Sequence, residues 1–144
     1  MNSINDLYRQ VIVEHYKNPR NKGLKEGADY RKLRLKNPSC GDDVTIQIKT
    51  KDNVVEEVLH EGSGCSICCS SASVMSEVLT GKDVEEAKSI IEDYCNMIKG
   101  EEVKNEDALE EALVYQGVAA FPARMKCATI AWKAVEEVLG EEDE

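Results

Sequence analysis

Between Tyr30 and His60 the chain carries three short β-prone runs in succession, Tyr30 to Lys36, Val44 to Lys49 and Val54 to His60, with no helix-length periodic segment between them. Apolar residues alternate in Leu33 and Leu35 and in Val44, Ile46 and Ile48, the period of strands with one face in a core. Lys51, Asp52 and Asn53 turn the second run into the third. Strands joined this closely pair antiparallel, because a parallel pair needs a crossover of about a dozen residues. The expected product is a small three-stranded antiparallel sheet with one polar face, whose apolar face the rest of the chain must cover.

The rest of the chain has the helical period. Ser3 to Tyr16 places Ile4, Leu7, Tyr8, Val11, Ile12 and His15 on one stripe, with Ser3 as N-cap, and Asn18 and Pro19 stop it. Ser66 to Leu79 ends at Thr80 and Gly81. Asp83 caps the next helix, Glu86 completes a capping box, and Ala87, Ile90, Ile91, Tyr94 and Ile98 share a face before Gly100. Asn105 caps a shorter helix through Leu109, Ala112 and Leu113, closed by Gly117; Pro122 opens a last helix to Leu139, with Gly140 at its end. The order of elements predicts one α+β domain over residues 1–144, about five helices on the sheet, with a short acidic tail at 141–144.

The chain has 144 residues, 42% hydrophobic and 32% charged, enough for one core. No apolar run approaches the ~20 residues of a membrane span, and the first residues lack a basic leader, so a cytoplasmic protein without membrane contact is expected. The net charge of −10 repels phosphate backbones and argues against nucleic acid as a partner. Basic residues concentrate in Met1 to Cys40, where nine oppose four acidic ones. That segment, with Arg31, Lys32 and Arg34, is either a solvated face or a dock for an acidic partner.

Six cysteines then need an explanation other than structural disulfides: Cys40, Cys65, Cys68, Cys69, Cys95 and Cys127. Cys40 and Asp42 lie in the turn Asn37 to Asp43, near a loop tip. Cys65 sits at a helix start, where the positive end of the dipole favours a thiolate. Cys127 lies about a turn inside the last helix, beside Arg124 and Lys126, cations that would lower its pKa if they faced it. Three thiolates and one carboxylate suit a borderline-soft ion such as zinc. Spacing alone leaves a metal site and three unrelated buried thiols both open. Cys68, Cys69 and Cys95 are expected to pack as small hydrophobes, and His15 and His60 to be structural or exposed.

Sequence context narrows the choice. NPSCGDD, GSGCSICCSSASVMSEVLTGK and ARMKCATIAWKAVEEVL resemble, in order and separation, the family of IscU- and NifU-type iron-sulfur assembly proteins, and the likeness runs from Leu7 to Leu139. The family's three cysteines and aspartate fall on Cys40, Asp42, Cys65 and Cys127. Lys126 replaces the histidine that scaffold members place before the third cysteine. Ala119 to Met125 replaces their chaperone-docking stretch, and the Cys65 to Cys127 segment is longer. These departures resemble the SufU-type branch.

That resemblance implies Zn2+ held by Cys40, Asp42, Cys65 and Cys127, and a sulfurtransferase role with a SufS-type cysteine desulfurase. Cys40 would accept the persulfide sulfur, Arg124 would support it, and a downstream iron-sulfur assembly complex would receive the sulfur. A histidine of the partner enzyme is implied to take the coordination position that Cys40 vacates. The alternative reading is a scaffold on which the same four residues hold a transient [2Fe-2S] cluster.

Overall fold

The computed structural model describes residues 3–38 and 40–141; the side chains of residues 3–7 and 141 are outside that description, as is most of the expected acidic tail. The Ser3 cap and the packing of Ile4 and Leu7 fall there too. Strands β1 (Arg31–Asn37), β2 (Asp42–Lys51) and β3 (Val54–Ser63) form an antiparallel sheet in that order. Leu33 faces Ile46 and Leu35 faces Val44, while Ile46 faces His60 and Ile48 faces Val58. Asp52 and Asn53 both have positive φ (53° and 65°), the two-residue turn whose twist matches a hairpin. The strands run further than the alternation indicates, so that Asn37 pairs with Asp42 and Asp43 with Ser63.

Helices α1 (Ser3–Lys17), α2 (Ser66–Leu79), α3 (Val84–Ile98) and α4 (Pro122–Glu141) cover one face. α4 packs on β1 and β2, α2 on β3, and α2 is itself held between α1 and α4. Val44, Ile46, Ile48 and Val58 from the sheet meet Met75, Leu79 and Trp132 in one buried core. Asp83 accepts from the N–H groups of Glu85 (2.9 Å) and Glu86 (3.4 Å), the Asp83 half of the expected capping box. Gly140 does not end α4, which continues to Glu141.

The segment expected as a short α-helix closed by Gly117 is instead a 3-10 helix over Glu106–Ala120, broken at Glu110 (φ 50°, ψ −127°). Its buried residues explain the difference. Leu109, Ala112, Tyr115 and Val118 recur at every third position, the repeat of a 3-10 helix, and Leu113 is only partly buried. Asn105 makes no side-chain cap. Buried Asp93 of α3 instead holds the chain just before the helix, accepting from the N–H groups of Lys104 (3.0 Å) and Asn105 (3.2 Å).

The small residues of α2 are more than spacers. Ser71 accepts from Trp132 Nε1 (2.9 Å) and donates to the Ala128 carbonyl (2.7 Å), and Tyr115 donates to Ser70 (2.6 Å). Ser73 bonds His15 Nδ1 (2.7 Å) and accepts from the Arg20 N–H (2.8 Å). Buried hydroxyls need such partners, so the serine row fixes which side chains lie against α2.

Candidate metal centre

One end of the sheet gathers the β1–β2 turn, the start of β2, the β3–α2 junction and the first turns of α4. Asn37 organises the first turn, its carbonyl accepting from the N–H groups of Cys40 (3.2 Å) and Gly41 (2.9 Å). Gly41 stands at φ +75°, where a side chain would be strained. Cys40 is exposed, its Sγ 3.7 Å from the Ala123 carbonyl of α4.

Asp42 is not at a loop tip as its turn-like surroundings suggest. It begins β2 and is 1% exposed, because Asn37 and Asp42 close the β1–β2 ladder. Its carboxylate accepts from the Cys65 N–H (3.2 Å) and from Asn37 Nδ2 (3.4 Å). Gly64 makes this approach possible, since a Cβ there would lie 2.4 Å from Asp42 Oδ1. Neither Asn37 nor Gly64 stands out as a site residue in the sequence. The signal for Gly64 is the close backbone approach a glycine permits at a strand-to-helix junction.

Cys65 is the N-cap of α2, and its side chain makes no capping bond. Cys127 is fully buried. Burial pushes its thiol pKa well up, and Asp42, Cys40 and Cys65 beside it push the same way. Lowering by neighbouring cations, expected from Arg124 and Lys126, is therefore overruled. Arg124 does lie against Cys65 and Cys127, whose thiolate charge raises the guanidinium's own pKa. Lys126 points elsewhere, into a groove with Leu35 and Pro38.

The ligand atoms of Cys40, Asp42 and Cys127 all lie within 4.8 Å of one another. Cys65 stands beside Cys127 at the same end, outside that mutual group. Three of the four sequence candidates thus converge, with the fourth adjacent. Together they offer a hydrogen-bonded carboxylate and three thiols, a set that can hold a thiophilic cation.

The remaining thiols are placed differently. Cys68 is buried in the core and Cys95 partly buried, and burial raises both, Cys95 to about 11. Cys69 is half-buried, with Sγ 3.7 Å from the Gly64 carbonyl. Both histidines are buried. His15 Nε2 bonds Glu111 (2.9 Å), and with Glu77 the trio is a second tight group of ligand atoms. Ser73 and Glu111 already occupy both ring nitrogens, so His15 pins α1 to α2 and the 3-10 helix. His60 Nε2 donates to the Arg20 carbonyl (2.7 Å).

The family model described as NifU-like N terminal domain matches residues 7–128. The chain belongs to this family. A zinc-dependent sulfurtransferase SufU of Bacillus subtilis (strain 168) is 43% identical over 141 residues, spanning 98% of this chain and 95% of the relative. An iron-sulfur cluster assembly scaffold protein IscU of Streptococcus pyogenes serotype M1 is 34% identical over 139 residues, 96% of this chain and 86% of the relative. The N-terminal part of a nitrogen-fixing NifU-like protein from Brucella abortus superposes with a TM-score of 0.84 over 99% of this chain and 100% of its own, at 23% identity. That superposition shows the NifU-like fold, a three-stranded antiparallel sheet with five helices counting the 3-10 helix. No helix among the described residues is long and apolar enough to cross a membrane.

Proposed function

We propose that the chain is a zinc-dependent sulfur acceptor of the SufU type. It takes persulfide sulfur from a SufS-type cysteine desulfurase in the cytoplasm, for a downstream complex that builds iron-sulfur clusters. The observation that carries this reading is the convergence of Cys40, Asp42 and Cys127 within 4.8 Å, with Cys65 and Arg124 against them. It occurs in a chain 43% identical to a relative named for zinc-dependent sulfur transfer.

The donor set suits zinc, which accepts thiolate and carboxylate in one four-ligand site. Asp42 receives one N–H on each oxygen, which orients the carboxylate and leaves a lone pair on each. Cys40, Asp42, Cys65 and Cys127 would hold the ion. Zinc bound there keeps the thiols ionised at neutral pH and shields Cys40 from oxidation.

Cys40 accepts the sulfur because it is the exposed thiol of the set, on a turn that a donor can reach. Its thiolate attacks the outer sulfur of the donor's persulfide. A sulfur–sulfur bond forms at Cys40, the donor's sulfur–sulfur bond breaks, and the donor cysteine leaves as thiolate, so no outside oxidant or reductant is consumed. Buried Cys127 and N-cap Cys65 stay anchored, and Arg124 offers positive charge to the new persulfide anion.

Labelled sulfur from the desulfurase should appear on the wild-type protein and not on Cys40→Ala; label on the variant overturns the assignment. Metal and acid-labile sulfide, measured after iron-supplemented anaerobic expression, should give about one zinc per chain and no sulfide. The likeness to the streptococcal IscU favours a second reading, a [2Fe-2S] scaffold on the same residues. Iron with matching sulfide would establish it in place of the first.

A further inference from the structure

On α4, Lys126, Thr129, Ile130 and Lys133 stand at spacings of three, four and seven, one stripe of the helix. This stripe faces the end of β1, and together with Leu35, Lys36 and Pro38 it walls a groove of about 250 Å3. Ile130 and Leu35 give it an apolar floor, and three exposed lysines form its rim.

Five lysines elsewhere in the chain, Lys25, Lys49, Lys82, Lys88 and Lys99, have an acidic neighbour, in each case a glutamate. Arg34 is clamped by Asp43 at 2.6 and 2.8 Å, and Arg31 has a partner as well. Lys36, Lys126 and Lys133 form no ion pair among the described residues, although acidic residues outnumber basic ones 28 to 18. The groove is therefore a local positive field on a protein of net charge −10. It also adjoins the site: Asn37, which lines it, holds the Cys40 turn through its carbonyl and touches Asp42 through its amide.

We propose that this groove seats an acidic segment of the sulfur donor, with an apolar side chain on the Leu35–Ile130 floor and carboxylates on Lys36, Lys126 and Lys133. The proposal rests on the sulfur-acceptor reading above. It is preferred to the Arg31, Lys32 and Arg34 patch as the dock, since Arg34 is already clamped by Asp43. A donor seated there lies beside Cys40, and its binding gains charge steering without burying a charge at the metal centre.

The test compares binding of the zinc-loaded protein to a SufS-type desulfurase across ionic strength. Lys36→Glu/Lys126→Glu/Lys133→Glu should bind at least about tenfold more weakly than wild type at low salt, the gap closing as salt rises. Lys51→Glu/Lys104→Glu, with one charge at the far end of the sheet and the other beyond α3, should bind like wild type. All three proteins should keep their zinc and accept sulfur on Cys40 from inorganic polysulfide. Equal low-salt affinity of the triple variant and wild type overturns the groove. If the triple glutamate variant loses zinc, the corresponding triple glutamine variant decides on the same criterion. Failure of the wild type to bind the desulfurase at any salt overturns the sulfur-acceptor reading and the groove with it.

Discussion

Cys127 and Trp132 sit on the same helix, five residues apart, and both are 0% exposed, yet their surroundings have opposite characters. Trp132 stacks on Tyr94 at 3.9 Å with 10° between the rings, and its N–H reaches Ser71. Ser71 and Tyr94 in turn both donate to the Ala128 carbonyl, so every polar atom there has a partner. Around Cys127 the neighbours are Asp42, Cys40 and Cys65, groups that repel one another once ionised. The first region is complete as folded. The second has no positive charge among its buried described members, and the exposed Arg124 lies against it. A core can therefore be finished by hydrogen bonds while the candidate metal centre on the same helix offers donor atoms that a cation would complete.

The sharpest way to break this contrast is Trp132→Ala. It should cost about 3–5 kcal/mol in urea unfolding of the metal-free protein, from lost packing and the lost hydrogen bond to Ser71. A cost under about 1 kcal/mol would mean the Trp132 region is not the organising core. Gly64→Ala comes next, because its Cβ would collide with Asp42 Oδ1 at 2.4 Å. It should destabilise by about 1–3 kcal/mol and weaken zinc retention against a chelator, because the collision displaces a candidate ligand. Cys127→Ser should abolish stoichiometric zinc by elemental analysis while changing metal-free stability by no more than about 1 kcal/mol. A large stability loss without metal would place Cys127 in the core class instead.

The smallest effect concerns His60, whose pKa burial lowers below the ordinary 6.5. The unfolded chain takes up this proton first as pH falls, so the stabilisation from neutral His60 is present above about 6.5 and lost on acidification toward the lowered native value. His60→Gln should flatten that part of the pH profile of Tm in the metal-free protein. An unchanged slope would assign the acid sensitivity to the other groups.

Much of this architecture can be read in the sequence. Alternation in Val44, Ile46 and Ile48 specifies the central strand and its buried face, and Asp83 and Gly100 bound α3, because these are local properties of backbone and period. Cys40, Asp42, Cys65 and Cys127 are recognisable by their motifs. Less legible is the 3-10 segment, whose three-residue repeat of Leu109, Ala112, Tyr115 and Val118 is hidden among good α-helix formers. The serine row of α2 resembles small-residue packing until Trp132, Tyr115 and His15 arrive from elsewhere in the chain.

The sequence by itself determined the antiparallel pairing of successive strands and the helix bounds near strong caps, since each depends on neighbours within a few positions; the four site candidates came from motifs that resemble a family's. Only the tertiary structure decided that Asp42 is buried, that Arg124 turns toward the thiols while Lys126 turns away, and that Lys36 joins Lys126 and Lys133 along one groove. Those outcomes depend on how α4 lies across β1 and β2, a packing of residues some 90 positions apart that no local pattern encodes.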